Sequence, residues 1–83
     1  METRLKDLAT LGGHQLEFHG GHMSGPAAER LKALIERCDL LVIVTEVNSH
    51  AAVLQARSLA RRSGRPVRLV RRLGTSQLRV LLN

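Results

Sequence analysis

Apolar positions along this chain alternate between helical and strand spacing. In residues 2–11, Leu5, Leu8, Ala9 and Leu11 recur at helical intervals, and Gly12-Gly13 supplies a stop. Residues 15–19, QLEFH, alternate as a half-buried strand does, with Leu16 and Phe18 on one face. From Pro26 to Cys38 the pattern Leu31, Leu34, Ile35, Cys38 is helical again, with Ser24 or Gly25 at the cap and Pro26 in the first turn, where its missing N–H costs nothing. LLVIVT, residues 40–45, is a short continuous apolar run rich in β-branched residues, the mark of a strand covered on both faces in a parallel sheet. A second crossover helix then begins at Asn48 or Ser49, runs on a stripe of Ala52, Val53, Ala56, Leu59 and Ala60, and ends at Gly64. RPVRLV follows as a strand in which Val67 and Leu69 alternate with Arg68, the Pro suiting a strand start or edge. The chain closes on a short helix, GTSQLRVLL, with Thr75 as its expected cap.

The expected order, α-β-α-β-α-β-α with short connections, is that of an α/β fold. Its simplest form is one domain, residues 1–83, with a parallel sheet of about three strands, right-handed crossovers and flanking helices. At 83 residues the chain is too short for a second core or a large enclosed pocket. Phe18 is the only aromatic, so the core must be built from Leu, Val, Ile and Ala, and a core that lean gains from a partner subunit.

In open parallel α/β sheets, ligands sit at the carboxyl ends of the strands, where helix N-termini also converge. The sequence puts HGGHMSG after the first expected strand, TEVNSH after the second and RRLGTS after the third. His19, His22, Ser24, Thr45, Ser49, His50, Arg71, Arg72, Thr75 and Ser76 are therefore expected along one edge.

Charge narrows the choice of partner without naming it. Thirteen Lys and Arg against seven Asp and Glu give a net charge of +6, concentrated in the C-terminal half. This balance favours anionic partners, whether nucleic acid, a phosphate or carboxylate ligand, or an anionic surface. A single Cys38 excludes an internal disulfide, and no apolar run is long enough to insert in a membrane, so the expectation is a bacterial cytoplasmic protein.

Each chemical motif competes with a plainer reading. Glycines between a strand and a helix serve turns, and HGGHMSG lacks both the Lys-Ser/Thr ending of a P-loop and the glycine spacing of a dinucleotide fingerprint. His19 and His22 have metal-ligand spacing but no fixed partner pair, and His50 from another loop is what strengthens them. Cys38 falls on an apolar stripe, the setting of an inert thiol. Asp39 and Glu46 bracket a strand, so they form no acid/base pair. Arg61, Arg62 and Arg65 read as a solvated face.

Over nearly the whole chain, from Arg4 onward, the sequence resembles the bacterial family known as domain of unknown function 2325, most visibly in the run from Phe18 to Leu82. The resemblance rests on His19-Gly20-Gly21, on Cys38-Asp39 with the strand after it, on Ser49-His50-Ala51-Ala52 running to Arg57 where the family usually has Lys, and on Arg72 through Ser76 and Leu78. It implies a Rossmann-like three-layer fold and no established activity. Family members usually begin with a strand before the first helix, and this chain begins METRL. That departure implies strands rearranged within the chain or paired between chains, and hence a homodimer.

Three functions are compatible with these residues. The leading expectation is a small ligand-binding module: His19, His22 and His50 bind a transition metal or haem iron, while Arg71, Arg72, Ser49, Thr75, Ser76 and the helix N-termini hold anionic groups. The second is a basic nucleic-acid-binding or regulatory module using Arg57, Arg61, Arg62, Arg65 and Arg68, without stacking aromatics or a known reading motif. The third is an enzyme acting on a small phosphorylated molecule, with His19 or His50 as acid/base but no identifiable nucleophile.

Overall fold

The computed structural model describes residues 2–82. Its elements run α1 (Glu2–Leu11), α2 (Gly25–Arg37), β1 (Leu41–Val44), α3 (His50–Arg62), β2 (Val67–Val70) and α4 (Thr75–Leu82). The protein is thus mixed α/β, with two parallel strands among the described residues rather than about three. No helix among them is long and apolar enough to cross a membrane.

The chain divides into two compact units. One holds α2, β1, α3 and β2, residues 19–71. Within it Leu41 pairs with Val67 and Val44 with Val70 across a parallel ladder, α3 forming the crossover. The ladder extends past both strand ends: Leu41 N–H donates to Pro66 O (3.0 Å), Thr45 N–H to Val70 O (2.8 Å) and Glu46 N–H to Arg71 O (3.2 Å). A core of Leu31, Ile35 and Ala60 sits where α2 meets α3, with Met23, Leu41, Leu59 and Val67 packed against it. Small Ala52, Ala56 and Ala60 form the buried stripe of α3, so its backbone can approach its neighbours closely without large side chains.

The ends of α3 are closed by local chemistry. Ser49 is the N-cap, its Oγ accepting from Ala52 N–H at 3.1 Å. At the other end Gly64, at φ 69°, lets Gly64 N–H reach Arg61 O (3.1 Å) and Arg65 N–H reach Ala60 O (2.8 Å), the paired bonds of a Schellman motif. Arg65 is not part of a solvated face, as its sequence neighbours suggest. It is half-buried and its guanidinium donates to Glu36 O in the last turn of α2, where a cation also complements the helix dipole.

The other unit comprises residues 2–18 and 72–82 and contains α1 packed on α4. Leu5 and Ala9 of α1 and Leu78 of α4 are its buried residues, whereas Leu11 at the end of the α1 stripe is 85% exposed. A second Schellman motif ends α1: Gly13 N–H donates to Thr10 O (3.0 Å) and His14 N–H to Ala9 O (2.8 Å). At α4 the cap is Gly74 rather than Thr75, because Leu78 N–H bonds Gly74 O (3.1 Å). Gln77 Oε1 accepts from Gly74 N–H at 3.1 Å, the reciprocal half of a capping box.

The expected strand at 15–19 is absent, and these residues carry no regular structure. Leu16 and Phe18 are half-buried, as their alternation implies, and Lys6 Nζ of α1 lies 5.8 Å from the Phe18 ring centroid. Alternation records burial on one side of an extended segment. It does not record what does the burying, and here the segment turns back beside the helix that precedes it.

Candidate functional site

Three segments of the α2–β1–α3–β2 unit meet at the carboxyl edge of the sheet. The first is the turn after β1, residues 45–49, which delivers the start of α3. The second is Arg71 at the end of β2, fixed beside Glu46 by the extended ladder. The third is the loop 19–24, brought against the first by Gly21 and Asn48. Gly21 has φ 84°, and a methyl group there would overlap the Asn48 side-chain oxygen, while Asn48 Nδ2 donates to Val44 O at 2.8 Å.

Loop 19–24 is shaped by His19. Gly21 N–H donates to His19 Nδ1 at 2.9 Å, so Nδ1 carries the lone pair and Nε2 the proton, and Nε2 donates to Ala27 O at 2.6 Å in the first turn of α2. Both ring nitrogens are therefore engaged in holding the loop to the helix. An imidazole so placed has no lone pair to offer a metal ion unless the loop opens. His22 lies with its ring near Gly20 and is exposed, as is His50 at the first position of α3. Among the described residues no three His, Cys, Asp or Glu side chains are grouped so as to hold a metal ion, and His19, His22 and His50 do not form such a set.

The remaining expected site residues separate into two groups. Ser49, His50 and Arg71 belong to the carboxyl edge, with Arg71 exposed and the Ser49 hydroxyl occupied in capping. Thr45 is there too, its hydroxyl 3.4 Å from Val70 O. Ser24 occupies the N-cap position of α2 without a side-chain capping bond. Arg72, Thr75 and Ser76 belong to the other unit, where Thr75 and Ser76 open α4. Cys38 is half-buried, its thiol donating to Ile35 O at 3.3 Å, which agrees with an inert packing role.

The edge can attract negative charge. Ser49 satisfies Ala52 N–H, and the backbone N–H groups of His50 and Ala51 head the remainder of the α3 dipole, while the exposed Arg71 follows β2 at the same end of the sheet, its backbone O accepting from Glu46 N–H. Glu46 contributes one carboxylate to the same edge. Asn48 and Gly21 are the positions that reading the sequence misses. Their partnership spans residues far apart in the chain, and no local spacing announces it.

The sequence matches, over residues 1–83, the model of the family described as an uncharacterized protein conserved in bacteria, DUF2325. The chain belongs to this family. No curated protein and no solved structure matches it. Of the residues that carry the resemblance, His19-Gly20-Gly21 coincide with the loop tied to α2, and Ser49-His50-Ala51-Ala52 with the capped start of α3.

Proposed function

We propose that this DUF2325 protein is a small ligand-binding module that takes an anionic guest at the carboxyl edge of the β1–β2 sheet. Arg71 and the start of α3 hold the negative groups, and the exposed imidazoles of His22 and His50 serve a haem iron or transition metal carried by that guest. His19 acts as the loop's tether. The observation that supports this reading is the meeting of three chain segments, 19–24, 45–50 and 70–71, at one edge through the Gly21–Asn48 approach and the Glu46–Arg71 ladder bond. The reading uses residues of one compact unit only.

The test has two arms. Hemin added to purified protein is expected to give a shifted Soret band that is lost in His50→Ala, and inorganic phosphate is expected to move the backbone amide signals of His50 and Ala51 in NMR spectra, with Arg71→Gln removing that response. A protein whose spectra respond to neither probe has no such site.

We propose further that the sheet is completed between two copies of the chain in a cytoplasmic, Rossmann-like three-layer assembly. The support is that both outer strand edges lack a strand partner among the described residues and that Leu69 on β2 is 47% exposed.

A further inference from the structure

Charge is divided unevenly along the chain. Residues 1–46 hold all seven acidic residues against five basic ones, whereas residues 47–83 hold eight arginines and no Asp, Glu or Lys. The structure sorts the basic residues of the second half by task. Arg65 braces the end of α2, Arg71 stands at the carboxyl edge, and the pleat turns Arg68 to the sheet face opposite Val67 and the helix core. Arg72 and Arg79 belong to the other unit, which leaves Arg57, Arg61 and Arg62. All three are exposed on the side of α3 away from its buried alanine stripe, and among the described residues none makes an ion pair or side-chain hydrogen bond.

That trio is electrostatically uncompensated. Arg57 and Arg61 are one helical turn apart, a spacing at which like charges repel, and α3 contains no acidic residue to offset them. The helix dipole accounts for Arg61 and Arg62 in the last turn but not for Arg57 in the middle of the helix. A bound polyanion removes the repulsion. The planar guanidinium fork, used here to the exclusion of Lys, suits phosphate oxygens bidentately.

The surroundings favour a nucleic-acid backbone over a lipid surface. A lipid-binding helix sets a face of several large apolar side chains beside its basic ones, while here Leu54, 52% exposed and one turn before Arg57, is the one exposed large hydrophobic of α3, with Gln55 and Ser58 as its other outward neighbours. The chain's one aromatic, Phe18, belongs to the other unit, so this unit has no aromatic platform on which single-stranded bases could stack.

We infer that the outer side of α3 docks on the phosphate backbone of duplex nucleic acid through Arg57, Arg61 and Arg62, without reading its sequence. This surface is separate from the proposed ligand edge, so either can fail without the other.

Fluorescence anisotropy of the full chain with short labelled DNA and RNA duplexes of two unrelated sequences, over a salt series, tests the proposal. The expected result is similar affinity for both sequences and a log K against log [salt] slope that falls by about 2–3 in the triple variant Arg57→Gln/Arg61→Gln/Arg62→Gln. The DNA and RNA arms identify which duplex is preferred. Should the triple variant lose its helical circular dichroism, the single variants replace it, each expected to lower the slope by about 1. No binding at low salt, slopes unchanged by the substitutions, or binding confined to phosphatidylglycerol vesicles overturns the inference.

Discussion

At the scale of single residues, the most consequential side chains are those that join distant parts of the chain. His19 has the outward signs of a ligand, a histidine among glycines with a second histidine three positions on. In space it is a strut, accepting from Gly21 N–H and donating to Ala27 O. Sequence could nominate His19 but not assign it, because the bonds made by its two ring nitrogens depend on where the first turn of α2 lies. Gly21 is the converse case. Its place among turn residues was legible, whereas its requirement for a bare Cα comes from Asn48, which is itself pinned to Val44 O. Gly21→Ala is therefore expected to lower stability by about 1–3 kcal/mol, through the positive φ and the overlap together. Urea denaturation checks this, and a variant as stable as the parent would mean that the loop relaxes freely away from Asn48.

At the scale of elements, four helices and two strands lie close to where periodicity and punctuation place them, since each is specified by its own residues. Gly13 and Gly64 close α1 and α3 with identical bond patterns, and Ser49 opens α3. Ser49→Ala removes the side-chain cap of that helix and is expected to cost about 1 kcal/mol. Chemical denaturation followed by circular dichroism measures it, with Ser49→Asp expected to restore most of the loss because a carboxylate also caps an N-terminus. Two boundaries were misread for physical reasons. Gly74 displaces Thr75 as the cap of α4 because Gln77 closes on its N–H, and a backbone-donor cap leaves no mark in the identity of the cap residue. The 15–19 segment has a strand's alternation without a strand's partner, since pairing is a property of two segments and alternation of one.

For the molecule as a whole, the second half of the chain carries an excess of arginine, and the fold distributes those arginines among bracing, the carboxyl edge and an outward helix side. The two-stranded parallel sheet offers two outer edges. Sedimentation velocity over a range of concentrations is expected to show a reversible dimer, and a single-chain species at every concentration would refute completion of the sheet between copies. By itself the sequence determined the helices, the two real strands, their parallel order and the family, because periodicity, capping residues and apolar runs act over one to four turns of chain. Only the tertiary structure decided that His19 is a tether, that Arg65 braces α2, that Gly21 meets Asn48, and that the segment before the glycine loop stays out of the sheet. These outcomes depend on which polar atoms and surfaces arrive at the same point in space, and separation along the chain carries no record of that.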